Sequence, residues 1–257
     1  MKKTIDALVV FGKGVEQVRA RDGTIVWRPT RLIEKPSSDG SHTGWRTPRY
    51  LRELTDPTYV IGGSNANVIA VHQLLQEHPE IRYVLFAAGR PKYLVATPNA
   101  PLCEGYPMFA NLCLRFGLSE TPSVVEVGCP PQFARAVLEN REYYFFSKSR
   151  NTFDEVAAAL GLGQEAGVRR MAFLTLAVHL LRVKEFTLAA KQHYGIGFEA
   201  IFLASDDVLL RRSPKYRRIL DAVAASQAMR NERNREHKGL EDFLRGRYQS
   251  VQYPPSR

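Results

Sequence analysis

Short apolar runs of four to eight residues alternate along this chain with longer stretches of helical periodicity. Ile5–Phe11, Tyr83–Ala88, Met171–Thr175 and Phe198–Ala204 read as strands, and a further strand lies at Ser123–Val127 or at Tyr143–Phe146. Such near-continuous runs suit a sheet covered on both faces. A helix over Asn67–His78 carries Val68, Val71, Leu74 and Leu75 on one face. Pro107 opens a second, with Met108, Phe109, Leu112, Cys113 and Phe116 inward and Gly117 as its stop. Thr152-Phe153-Asp154-Glu155 reads as a capping box for a third helix, and Leu176 to Tyr194 as a long amphipathic helix ending near Gly195. Strand and helix in alternation predict an α/β fold, an open and mostly parallel sheet joined by right-handed crossovers.

Two segments break the pattern. Residues 13–58, rich in Arg, Pro, Ser, Gly and Thr, are long for a strand-to-helix connection and read as an insertion, a lid or a small hairpin. Residues 95–106, with Pro98, Pro101 and Gly105, form a second irregular loop, and Pro214 to about Arg247 reads as a charged helical extension. The expected division is an α/β domain over 1–210, carrying the insertion, and a basic helical extension over 211–257.

The 257 residues suit one large domain. No apolar run reaches the ~18 residues of a membrane span. Cys103, Cys113 and Cys129 are too widely spaced for a Cys-x-x-Cys pair, and the histidines show no metal-ligand spacing, so a reducing, cytoplasmic setting without a structural metal is expected. The net charge of +10 is uneven: residues 211–257 hold twelve Lys or Arg against five Asp or Glu. That excess can attract nucleic acid or an acidic partner, or can simply be a solvated helix face.

Four places carry candidate chemistry. Gly12-Lys13-Gly14 follows the first strand, where glycines either bring backbone N–H groups to an anionic ligand or form a plain tight turn. Lys13 is there either a ligand contact or a solvated charge. Thr175, His179 and Arg182 combine a strand end, an imidazole and a guanidinium about one helical turn apart, which suits a phosphate or carboxylate and lets His179 act as acid or base. Arg150, Asn151 and Thr152 precede a helix, either capping it or reaching a pocket mouth. Gly89 and Arg90 add a close-approach turn and a positive charge. In open parallel sheets ligands bind beyond the carboxyl ends of strands where strand order reverses, and these turns converge there if the first and fourth strands are neighbours.

Taken in this order, the pieces resemble the YdcF/SanA/ElyC family of bacterial proteins. Asp6-Ala7 through Gly14 resembles its Asp-Ala-hydrophobic-Gly-Gly strand start, and Ala87-Ala88-Gly89 its small-Gly-Gly turn. Ser149-Arg150-Asn151-Thr152 matches its Ser-Arg-Asn-Thr helix start, and Leu174-Thr175 through Arg182 resembles its Val-Thr-Ser-x-x-His-x-x-Arg stretch. The likeness spans residues 4–205. Phe145-Phe146 stand where the family has an acidic residue, Ala87 replaces the turn serine, and Asp154-Glu155 only approaches the usual Glu-Asn. The resemblance implies a Rossmann-like fold. It offers S-adenosylmethionine as a cofactor, since a soluble relative is associated with it; the relatives of the cell envelope carry a membrane anchor, and this chain is expected to resemble the soluble branch.

Three functional classes follow. The first is a protein binding, or acting on, a small anionic ligand (nucleotide, sugar phosphate or S-adenosylmethionine), with His179 as acid/base; no nucleophile or metal set settles enzyme against binder. The second is a nucleic-acid binder using the extension and the arginines of 13–58, with Tyr248 and Tyr253 for stacking, although no nucleic-acid motif occurs and Glu232, Glu236, Glu241 and Asp242 dilute the patch. The third is an interaction module offering Ile219, Leu220, Val223 and Ala224 to a partner.

Overall fold

The computed structural model describes residues 4–19, 22–30, 35–36, 42–43, 63–91, 94–95, 97, 99–127, 133–149, 151–214 and 216–248. Arg150 and much of the 13–58 insertion, with Arg21, Arg31, Arg46, Arg49 and Arg52, lie outside the described residues, as do Pro98, Cys129 and Tyr253.

Seven strands form the main sheet: β1 (Ala7–Phe11), β6 (Tyr83–Ala87), β7 (Val125–Val127), β8 (Phe133–Leu138), β9 (Arg141–Phe145), β10 (Arg170–Thr175) and β11 (Glu199–Ala204). Their order is β11-β10-β1-β6-β9-β8-β7. The first five in that order run parallel; β8 and β7 close one side as antiparallel partners. Both alternatives for the uncertain strand are occupied, the Ser123–Val127 run by the edge strand β7 and the Tyr143–Phe146 run by the internal strand β9. Within the 13–58 segment, β2 (Val15–Arg19) and β3 (Ile25–Pro29) pair as an antiparallel hairpin, and β4 (Lys35–Pro36) pairs with β5 (His42–Thr43).

Among the described residues seven helices accompany the strands: α1 (Ser64–Glu77), α2 (Gly105–Arg115), α3 (Thr152–Glu165), α4 (Ala177–Tyr194), α5 (Ser205–Arg212), α6 (Tyr216–Ala225) and α7 (Gln227–Leu244). Side chains of β1 alternate between two cores, as a pleated strand requires. Leu8 and Val10 join Val68, Leu74, Met108 and Phe109 on one face, while Ala7, Val9 and Phe11 join Val156, Leu160, Val183 and Phe186 on the other. This is an open, mostly parallel, Rossmann-like α/β sheet with helices on both faces. No described helix is long and apolar enough to cross a membrane.

The register that matters most for a site is at β1. Ala7 pairs with Met171 on one side and with Tyr83 on the other, so the chain leaves β1 toward β6 and later crosses back to place β10 on the opposite flank. The strand order therefore reverses at the carboxyl end of β1.

The helix starts differ in one respect from the pattern-based reading. Asn151 caps α3, its side chain accepting the Asp154 N–H at 3.0 Å. Glu155 does not close a capping box; it turns away and accepts the Gly89 N–H at 2.9 Å. The stripe expected to face a partner on α6 is largely covered by the chain itself, since Leu220 and Val223 are buried.

Candidate functional site

A cleft of about 160 Å³ opens at the strand-order reversal, lined by Gly12, Lys13, Ala88, Gly89, Arg90, Pro91, Glu104, Ser149, Asn151, Thr152, Glu155, His179 and Arg182. Four connections supply it: the turn after β1, the turn after β6, the loop between β9 and α3, and the first turns of α4. The stretches around positions 12, 89, 151 and 179, far apart in the chain, thus meet at one place.

Not every expected residue faces this space. Gly14 is one step removed: its N–H donates to Glu104 Oε2 at 3.0 Å, and its φ of 96° is one that glycine adopts freely. Thr175 is fully buried under the cleft, and its hydroxyl finds no hydrogen-bond partner among the described residues. Thr152 contributes from the start of α3, its Oγ1 accepting from Arg182 Nη2 at 3.4 Å. Arg90 lines the rim, its backbone N–H donating to the Ser149 carbonyl at 3.1 Å.

The glycine turns do not hold bare amides for a ligand. The Gly12 N–H donates to Ala87, the Lys13 N–H to Ser64 Oγ at 2.6 Å, the Gly14 N–H to Glu104, and the Gly89 N–H to Glu155. Gly12 and Gly89 serve close packing instead. A Cβ on Gly12 would run into the Glu104 carboxylate and Ala88, and one on Gly89 into the Ser149 carbonyl.

The cations are held differently, and by residues the pattern-based reading passed over. Glu236 of α7, only 6% exposed, reaches three of the residues that line the cleft. Lys13 Nζ lies 2.6 Å from Glu236 Oε1, His179 Nδ1 lies 2.8 Å from Oε2, and Arg182 Nε lies 2.9 Å from the same oxygen. Glu232, one turn earlier on α7, takes Lys13 Nζ as well, at 2.9 Å. Three of the basic groups proposed from sequence as ligand contacts, Lys13, His179 and Arg182, therefore converge on a single carboxylate.

Electrostatics follow from burial and this convergence. Burial resists ionising Glu236, but the hydrogen bond from His179 and the charges of Lys13 and Arg182 outweigh it and hold the carboxyl well below its ordinary range. His179 is 3% exposed; desolvation first and the Lys13 charge second push its pKa down to about 3, against the pull of Glu236. The ring is neutral at pH 7. A carboxylate can only accept, so Nδ1 carries the proton and Nε2 is the acceptor. Glu155 keeps part of its surface open to the cleft, but desolvation by the surrounding protein, opposed by the Gly89 amide and reinforced by the Glu104 charge, pushes its pKa up to about 8.

Glu104, Ser149, Glu155, Glu232 and Glu236 are the site residues that sequence reasoning missed or assigned otherwise. Glu104 lies in a segment read as an irregular loop, and Glu155 was given to a cap. The one legible trace of the α7 contribution is the i, i+4 spacing of Glu232 and Glu236, which puts two acids on one face of a basic helix. No group of three or more His, Cys, Asp or Glu among the described residues is placed to hold a metal ion.

A scan against protein-family models, a search of curated proteins and a search of solved structures each find no match to this chain.

Proposed function

We propose that this protein binds a small ligand through a phosphate or carboxylate group in the cleft at the carboxyl ends of β1, β6, β9 and β10. Nucleotides, sugar phosphates and S-adenosylmethionine are the ligand classes with that chemistry. One observation carries the reading: Lys13, His179 and Arg182, contributed by two separate connections, already coordinate a carboxylate at 2.6 to 2.9 Å. Groups arranged to hold one oxyanion are arranged to hold another, because a lysine, a guanidinium and an imidazole N–H all donate to an oxygen-bearing anion.

His179 is also the group equipped for proton transfer. A neutral imidazole whose Nδ1–H is held by a carboxylate presents Nε2 as an acceptor in a fixed orientation, the geometry a general base needs, although desolvation makes that nitrogen a weak base while α7 is docked. The likeness to YdcF-type proteins rests on these same positions, from Gly12 through Asn151 to Arg182, and supports a ligand at this end of the sheet. Of the acids that dilute the basic extension, Glu232 and Glu236 turn into the protein, while Arg233 and Arg235 stay on its outer face.

Isothermal titration of the full chain with nucleoside mono- and diphosphates, a hexose phosphate and S-adenosylmethionine tests the reading. Loss of one charged hydrogen bond costs about 1.5–3 kcal/mol, so Lys13→Ala and Arg182→Ala should each weaken binding by roughly tenfold to a hundredfold. A double variant that binds the same compound with unchanged affinity would remove the cleft from consideration.

A further inference from the structure

Accepting the cleft as an anion site, three of its basic side chains, Lys13, His179 and Arg182, are held in this structure by a carboxylate of the chain's own helix. We propose that α7 is a built-in competitor: the Glu236 carboxylate stands where the ligand's anionic group binds, so ligand entry and α7 docking exclude each other.

Charge balance is the first support. With α7 docked, the cationic side chains among the described residues of the cleft, Lys13, Arg90 and Arg182, are matched in number by the carboxylates of Glu104, which also lines it, and of Glu232 and Glu236, which pair with Lys13 and Arg182. An incoming anion meets no net positive charge. Undocking α7 removes two of the three carboxylates together with Arg235, which pairs with Glu232 at 3.3 Å, but leaves Lys13, Arg90 and Arg182 in place, and the cleft becomes more attractive to an anion.

Geometry is the second. Both oxygens of Glu236 are engaged, Oε1 by Lys13 and Oε2 by His179 and Arg182. A ligand oxyanion cannot take the carboxylate's place among these three groups while α7 stays docked.

The third support is the way α7 is seated. Ser226 caps its start, accepting the Met229 N–H at 3.1 Å. Phe243 packs 4.4 Å from the Phe186 ring and 5.4 Å from Phe153, centroid to centroid. Between the ionic and aromatic contacts stands Gly239, where a Cβ would come within 2.6 Å of Arg182 Nη1. Glycine inside a helix costs about 1 kcal/mol relative to alanine, and here it leaves the guanidinium room to pass. The helix is thus matched to the basic cradle at one end and to an aromatic seat at the other, with Arg182 running between.

The arrangement has a definite energetic consequence. If the ligand binds only the undocked form, its apparent Kd is the intrinsic value divided by the undocked fraction. A substitution on α7 that loosens it at either end, leaving Lys13, His179 and Arg182 intact, must therefore tighten ligand binding.

Two substitutions in the full chain probe the two ends. Glu236→Gln removes the competing charge without changing shape, and Phe243→Ala weakens the aromatic seat without touching the cradle. Inorganic phosphate and the ligand panel are titrated into each at matched ionic strength, and hydrogen exchange is followed across residues 227–244. Both variants should bind about tenfold more tightly than the wild type, and saturating ligand should speed exchange in α7 of the wild type. If the wild type binds and Glu236→Gln binds equally or more weakly, Glu236 is part of the binding surface or orients His179, and the competitor reading is overturned while the anion site stands. If the wild type and both variants all fail to bind any probe, the anion site itself is refuted. Should Glu236→Gln not fold, Phe243→Ala decides alone: unchanged or weaker affinity in it overturns the proposal.

Discussion

Glu155 meets resistance to ionisation from the protein that encloses it and from the neighbouring Glu104 charge, and these outweigh the Gly89 amide that favours the carboxylate. Its pKa rises from 4.5 to about 8, so across that interval the folded protein holds a proton that the unfolded chain has lost. Stability must then fall as pH rises, by at most about 1.4 kcal/mol per pH unit. His179 acts in the opposite sense but at lower pH: pushed down to about 3, it leaves the unfolded chain binding the extra proton only below its ordinary 6.5. Glu236, held low, stabilises the fold above 4.5 and loses that contribution only in acid. Of these strongly shifted cleft groups, Glu155 alone titrates between pH 6.5 and 8. Urea denaturation at the two ends of that window should show the wild type losing stability at pH 8, and Glu155→Gln losing much less. The same slope in both proteins would contradict an uncharged Glu155.

At the level of elements, the turns after β6 and β9 are pressed together at Gly89. The Ser149 carbonyl accepts the Arg90 N–H at 3.1 Å, and the space a side chain would need at Gly89 is filled by that same carbonyl. Backbone cannot move aside as a flexible side-chain end can, so Gly89→Ala forces the two turns apart. Overpacking of this kind costs about 1–3 kcal/mol. Chemical denaturation of Gly89→Ala should show a loss of at least that order, with ligand affinity falling too because Arg90, Asn151 and Thr152 move with the turns. The glycine was legible in the sequence as a close approach, but the approaching group is backbone. Glu155 illustrates the same limit: its spacing from Thr152 satisfies a capping box, and only the proximity of β6 diverts it to another amide. Strand β8 escaped the pattern because its apolar residues alternate with Arg135 and partly exposed positions, which makes a weak signal next to the solid runs of β1 and β10.

Across the whole molecule, the sheet divides two cores, and each is tied to the cleft by the strands between them. Phe86 stacks on Phe145 at 5.6 Å between centroids and meets Phe109 edge-on at 6.2 Å, all three fully buried. Truncating a ring in such a cluster removes its burial and leaves a cavity, worth about 3–5 kcal/mol. Phe86→Ala should lose stability in that range, read as a lower denaturation midpoint, and a loss under about 1 kcal/mol would mean that this face repacks freely. The positive charge of the extension also looks different at this scale. Its excess is real in composition, yet Glu232 and Glu236 are the side chains it turns onto residues that line the cleft, while Arg233 and Arg235 stay exposed.

What the chain determined by itself was whatever depends on neighbours along the chain: apolar runs of strand length, periodic helix faces, glycine stops, and the spacing that sets His179 and Arg182 on one side of α4. The parallel fold class follows from these, because alternating strands and helices have few ways to bury both faces of a sheet. Tertiary structure alone decided which partners those residues meet. The pairing of β1 with β10, the diversion of Glu155 to Gly89, the burial of Thr175 and the seating of Glu236 on Lys13 join positions tens to hundreds of residues apart. Such contacts arise from packing in three dimensions, and no local periodicity records them.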